Sequence, residues 1–230
     1  MDKNTFVVEK PCPICNQKTR VIKPKSRLLM VKQDPDTCIH YKDFNIYYYR
    51  IWLCEHCGFA GDEKTFGVKI TERTRAQIKE YLEANPIDKD FLDEHTAGDA
   101  INAFERAIEC LDLLKAPLAK KASTCHQLAW IYRSIDNKEM EEEYLKKAAE
   151  LYAQSLATER YPMGNLTDTG ALFVTGAIYY LLNDYGNCAS FLSRIIGDQN
   201  ARIRERTIFE KARTLWEDVR AAQKEAEKKK

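Results

Sequence analysis

The sequence lacks what would place it in a membrane. Its longest apolar runs, such as residues 177–182, fall far short of the roughly 20 residues that a helical bilayer span requires. Met1 to Thr5 carry no apolar core of a signal peptide, so the expected compartment is the cytoplasm, with no membrane partner. An excess of one charge is missing as well. The 36 Lys and Arg residues stand against 35 Asp and Glu, so any basic surface is local and a dedicated polyanion binder is not indicated. No nucleophile elbow and no phosphate-binding loop can be found, which sets the expectation that the chain is not an enzyme. The eight cysteines do not form a secreted disulfide framework, because nothing directs secretion. Cys110, Cys125 and Cys188 fall inside helical patterns, where a cysteine behaves as a small buried hydrophobe.

What is present begins with two matching segments, Cys12-Pro13-Ile14-Cys15-Asn16 and Cys54-Glu55-His56-Cys57-Gly58. Each is the sequence of a metal knuckle. The residue after the second cysteine needs a left-handed backbone, which glycine adopts without cost and asparagine tolerates. Cys12, Cys15, Cys54 and Cys57 are therefore the expected ligands of one structural Zn2+, with iron or a redox disulfide as the rivals. No βαβ pattern follows either pair, as thioredoxin-type chemistry would require. A closed set of four thiolates leaves no position for water and argues against metal catalysis.

Short strands are expected over residues 5–10, 19–31 and 46–53, which makes the plan that of a zinc ribbon. With 38 residues between Cys15 and Cys54, the excess must form a loop over residues 32–44. That loop gathers Asp34, Asp36, Cys38 and His40, a candidate second cluster for a metal or for catalysis. The plainer alternative is turn chemistry, with the two aspartates bonding nearby backbone N–H groups. Lys23, Lys25, Arg27, Tyr47 and Tyr49 are candidate contacts for single-stranded nucleic acid. The alternative is that these rings cover the metal and fill a small core. His56, inside the second CxxC, is expected to be exposed and not a ligand, and His40, His95 and His126 to be satisfied polar residues.

From Thr71 onward the pattern is helical. Helices are expected at 71–85, stopped by Pro86 and Asp88, and then at 96–115, 117–134, 138–157, 172–183, 188–196 and 200–226, with 184–187 as a turn. Gly176, Tyr179, Tyr185, Cys188 and Leu192 fall at the small, aromatic and apolar positions of a tetratricopeptide repeat, and Ala129, Tyr132, Leu145 and Ala148 fit the same template. The expected fold is thus α+β and mostly α, with a zinc-ribbon-like β unit at 1–70 followed by an antiparallel array of tetratricopeptide-like helix pairs at 71–230.

The chain as a whole resembles a bacterial family catalogued as domain of unknown function 2225. The likeness rests on both CxxC segments, Ser26-Arg27, Asp34-Pro35-Asp36, Tyr41, the Tyr47 to Leu53 stretch, and Gly58-Phe59-Ala60. Asn16 departs from the glycine expected in the first knuckle. The resemblance implies a zinc-ribbon-like front end and tetratricopeptide-like helices, and it implies no activity. The expectation for function is a non-catalytic adaptor or scaffold that binds a protein or peptide, with nucleic-acid binding through the ribbon as the alternative.

Overall fold

Strand pairing in the first half of the chain is organised by the two CxxC turns. In the computed structural model, which describes residues 3–87 and 94–228, β1 (Thr5–Pro11) runs antiparallel to β2 (Lys18–Pro24), with the first knuckle between them. The register sets Val8 opposite Val21 and Thr5 opposite Pro24. Proline thus closes the ladder at its end, where the missing N–H costs nothing. A second pair is formed by β3 (Met30–Gln33) and β4 (Ile39–Tyr41), and a third by β5 (Trp52–Leu53) and β6 (Ala60–Gly61), which flank the second knuckle.

The expected strand at 46–53 is mostly something else. Ile46–Tyr49 is a 3₁₀ turn, and only Trp52–Leu53 pairs. Asn45 starts the turn by accepting the N–H of Tyr47 at 3.0 Å. The rings then find separate neighbours. Tyr47 packs on Trp130 at 4.8 Å between centroids, while Tyr49 lies between Phe44 at 5.3 Å and His95 at 4.7 Å. Strand propensity of Tyr and Ile is overridden here by a cap and by packing.

The rest is helical: α1 (Glu63–Phe66), α2 (Glu72–Ala84), α3 (Ala97–Leu113), α4 (Leu118–Ser134), α5 (Lys138–Thr158), α6 (Asp168–Leu181), α7 (Tyr185–Ile196), α8 (Gln199–Arg204) and α9 (Arg206–Lys228). The fold class is α+β, mostly α. Thr96 caps α3 in a reciprocal box with Asp99, and Thr167 caps α6. The Asp88 stop expected after α2 lies outside the described residues. Residues 184–187 are not a turn. Asp184 accepts the N–H of Asn187 at 3.0 Å and caps α7, and the left-handed residue is Asn183, at φ 59°. The expected last helix is interrupted at Glu205, between α8 and α9.

The chain forms two compact units. One comprises Met1–Lys32, Ile39–Ala116 and Thr124–Glu141; the other comprises Gln33–Cys38, Pro117–Ser123 and Glu142–Lys230. Helices α2 and α3, though beyond residue 70, pack with the knuckles in the first unit. Its core joins Ile14, Val21, Trp52, Phe59 and Phe66 to Ile78 and Leu82 of α2 and Cys110 of α3.

The second unit is built on α6, α7 and α9. Leu172, Ala177, Cys188 and Leu192 pack with Phe209, Leu215 and Val219. Gly176 is where α6 and α7 touch: a Cβ there would lie 3.0 Å from Leu192 Cδ2, closer than ordinary contact. Only glycine admits this approach without a shift. In the same unit Glu159 closes the open start of α4, accepting the N–H groups of Leu118 at 2.7 Å and Ala119 at 3.0 Å and the hydroxyl of Ser155 at 2.6 Å. Among the described residues, no helix is long and apolar enough to cross a membrane.

Candidate metal centre

Each knuckle is the same turn written twice. In the first, Cys12 accepts the N–H of Asn16 at 3.0 Å and donates its own N–H to Gln17 O at 2.9 Å. In the second, Cys54 accepts from Gly58 at 2.8 Å and donates to Phe59 O at 2.8 Å. Both turns require a left-handed residue at the same place, and Asn16 and Gly58 supply it at φ 60° and 76°. The N–H of Ile14 also points at Cys12 Sγ, at 3.4 Å.

The turns bring the four sulfurs of Cys12, Cys15, Cys54 and Cys57 within 4.8 Å of one another. Across the knuckles, Cys12 Sγ lies 3.6 Å from Cys57 Sγ and Cys15 Sγ lies 3.6 Å from Cys54 Sγ. A disulfide needs about 2.0 Å. A tetrahedral ion with sulfur bonds of about 2.3 Å separates its ligands by about 3.8 Å. The spacing is therefore that of a metal site.

Charge makes the same argument. Hydrogen bonds from the Cys12 and Cys57 thiols hold Cys54 well below the ordinary thiol range. The side-chain hydrogen bond with Cys54 in turn pushes Cys12 up to about 12, and the Cys12 and Cys54 sulfurs together with burial push Cys57 up as well. Four thiolates cannot share this space without a cation, and a divalent ion supplies the missing charge. These residues fit such an ion. Bound there it would have all four positions filled by protein and would serve to join the knuckles.

The surroundings brace the site. Glu55 N–H donates to Thr19 Oγ1 at 3.3 Å, Arg20 N–H donates to Glu55 Oε1 at 3.1 Å, and His56 Nε2 meets Lys18 O at 2.9 Å, so the second knuckle is tied to β2. His56 stands outside the ligand set, as its position inside CxxC suggested. From α2, Arg75 Nε donates to Pro13 O at 3.1 Å and fastens the first knuckle.

The second predicted cluster is partly assembled. Asp34, Cys38 and His40 offer ligand atoms within 4.8 Å of one another, and Asp36 is not in that set. Asp36 is fully buried and accepts the N–H of Cys38 at 3.4 Å, which is turn chemistry. His95 bonds Tyr48 O at 3.0 Å, and His126 packs on Trp130 at 4.6 Å. Cys110, Cys125 and Cys188 are buried, and burial pushes the thiols of Cys110 and Cys188 up to about 11 and about 12.

The five candidate nucleic-acid contacts do not share one face. Tyr47 and Tyr49 are buried, and the Tyr47 hydroxyl accepts the N–H of Ile39 at 2.8 Å. Lys23 is paired with Glu63 at 2.9 Å, and Arg27 is exposed. Lys23, Lys25 and Tyr49 line a cleft of about 520 Å³ in the first unit, and Arg27 and Tyr47 do not. The same cleft is lined by Tyr41 and by Arg50 and Lys64, the last two of which sequence reasoning missed. They come from three separate segments, and no spacing rule connects them.

Comparison with curated proteins and with solved structures returned no match. A family model described as "Uncharacterized protein conserved in bacteria (DUF2225)" matches residues 7–219. That span takes in both knuckles and the helices as far as Val219, and the chain belongs to this bacterial family.

Proposed function

We propose that the protein is a non-catalytic interaction protein in which one structural Zn2+ holds the knuckle unit in shape and the helical unit binds a peptide or protein. The observation that carries the reading is the closed set of four thiols, which gives the ion a structural task and no open position for a substrate. Zinc is the ion assigned, because closed four-thiolate sites are its usual structural use. The Gly176 approach to Leu192, with Cys188 fully buried and Tyr179 stacked on Phe191 at 5.7 Å, supports a tetratricopeptide-like pair. Stacked helix pairs of that kind present extended binding surfaces.

Two measurements test this. Elemental analysis is expected to give one zinc per chain, lost with Cys12→Ser and kept with Cys38→Ser. Two metals per chain, or loss with Cys38→Ser, would reopen catalysis at the Asp34 to His40 loop. A displayed peptide library selected on the zinc-loaded chain is expected to yield binders that lose affinity with Tyr180→Ala, whose ring is half-buried on α6. A library that yields no binder on retesting would sink the interaction reading.

A further inference from the structure

The cleft of the knuckle unit carries charge that its own residues do not neutralise. Its volume of about 520 Å³ lies in the range of small-molecule sites. Four cations line it, Lys23, Lys25, Arg50 and Lys64, against two carboxylates, Asp62 and Glu63. Both carboxylates are already engaged. Asp62 caps α1, accepting the N–H of Thr65 at 2.9 Å and its hydroxyl at 2.7 Å. Glu63 takes the ammonium of Lys23 at 2.9 and 3.0 Å.

Three cations remain. Lys25 donates to the neutral carbonyl of Lys3 at 2.6 Å and has no carboxylate partner among the described residues. Arg50 and Lys64 are exposed and have no carboxylate partner among the described residues. They reach the cleft from different places: Lys25 from the loop after β2, Arg50 from the end of the 3₁₀ turn, and Lys64 from α1. Convergence of three unpaired cations on one concave surface suits a dianion more than a single carboxylate. A phosphate monoester carries about −1.5 to −2 at neutral pH.

The walls are apolar and aromatic. Leu28, Ile46 and Trp52 line the cleft, and Trp52 is already covered by the Phe66 ring at 5.4 Å and the Lys23 ammonium at 5.4 Å. Tyr49 is already sandwiched. Tyr41 is different. It lines the cleft, is half-buried, and has no ring partner among the described residues, so a face is available for stacking.

We propose that this cleft binds a nucleoside phosphate, with the phosphate held by Lys25, Arg50 and Lys64 and the base stacked on Tyr41. The phosphate can belong to a free nucleotide or to one residue of a single strand; the recognition chemistry is the same. The site is distinct from the helical surface assigned above to peptides and stands without it.

Calorimetry on the zinc-loaded full chain at low salt tests the proposal, with nucleoside monophosphates and diphosphates, a single-stranded 10-residue oligonucleotide, a nucleoside and inorganic phosphate as ligands. Nucleotides are expected to bind, and the Arg50→Ala/Lys64→Ala double variant to weaken them by about tenfold or more. Neither side chain has a carboxylate partner among the described residues, so zinc content and thermal midpoint should stay unchanged. Tyr41→Leu is expected to weaken nucleotides several-fold and leave inorganic phosphate unaffected. An oligonucleotide that binds more tightly, with a steeper loss in salt, assigns the phosphate to a strand; equal affinity assigns it to the free nucleotide. No binding of any phosphate ligand at millimolar concentration, or binding that the double variant leaves intact, overturns the site. Inorganic phosphate bound as tightly as nucleotide overturns the base-stacking half of the proposal.

Discussion

Around the second knuckle the regular structure is short: β5 and β6 have two residues each, and α1 has four. In the helical unit α6 runs for 14 residues and α9 for 23, and their apolar faces meet directly. Two-residue strands cannot bury enough apolar surface to stand alone, so that part of the chain is joined through four sulfurs and roofed by α2 and α3. The long helices need no such link. They are held by interdigitation, at the tightest point by a glycine. The candidate metal ligands thus gather where regular structure is scarce, and close packing occurs where it is abundant.

The sharpest way to break this contrast is to remove the ion. Cys54→Ser, or a strong chelator, is expected to abolish metal binding and unfold the knuckle unit, since structural zinc sites are worth about 10–16 kcal/mol of apparent binding energy. Hydrogen exchange should show protection lost at Val21 and Ile78 and retained in α6 and α9. Retained protection at Ile78 after chelation would mean the metal is not what holds that unit. The reciprocal variant is Gly176→Val. Its branched side chain would meet Leu192 from the 3.0 Å contact onward and should cost about 2–3 kcal/mol in the helical unit, with zinc content unchanged. Thermal unfolding that matches wild type would disprove the close approach.

A smaller effect is expected at Glu159. Burial works against its charge, but the hydroxyl of Ser155 and the N–H groups of Ala119 and Leu118 outweigh that and hold its pKa below the ordinary value of 4.5. A depressed carboxylate contributes stability that is present above pH 4.5 and is lost as pH falls through its folded value. Glu159→Gln should therefore cost about 1–2 kcal/mol near neutral pH, with the difference from wild type shrinking in acid denaturant titrations. A penalty independent of pH would remove the charge from the explanation. Smallest of all is Asn16. Asn16→Ala should cost about 1 kcal/mol and Asn16→Gly should be neutral or slightly stabilising, because only the left-handed turn is at stake. Equal losses for both would point to a role for the amide itself.

The metal centre could be read from the sequence because everything that shapes it is local: two cysteines three residues apart, then Asn16 or Gly58 in the same turn. The start of α3 at Thr96 was legible for the same reason. The 3₁₀ turn at 46–49 was not, because Tyr47 and Tyr49 favour strands until Trp130, Phe44 and His95 claim their rings, and those partners are set by the fold. The start of α7 was misplaced by one turn because Asn183 and Asp184 both suit a turn, and only the backbone tells which residue is left-handed and which is the cap. The cleft was legible only in part, through Lys23, Lys25 and Tyr49. Arg50 and Lys64 look like ordinary surface charges until the fold sets them around the same space.

Within each knuckle the two sulfurs differ in access: Cys12 and Cys54 are fully buried, whereas Cys15 and Cys57 are half-exposed. An incoming thiol or chelator meets Cys15 or Cys57 first. The two buried sulfurs, Cys12 and Cys54, belong to different knuckles and would hold a bound ion across both turns. A bound ion would thus keep the two knuckles joined through its least accessible ligands.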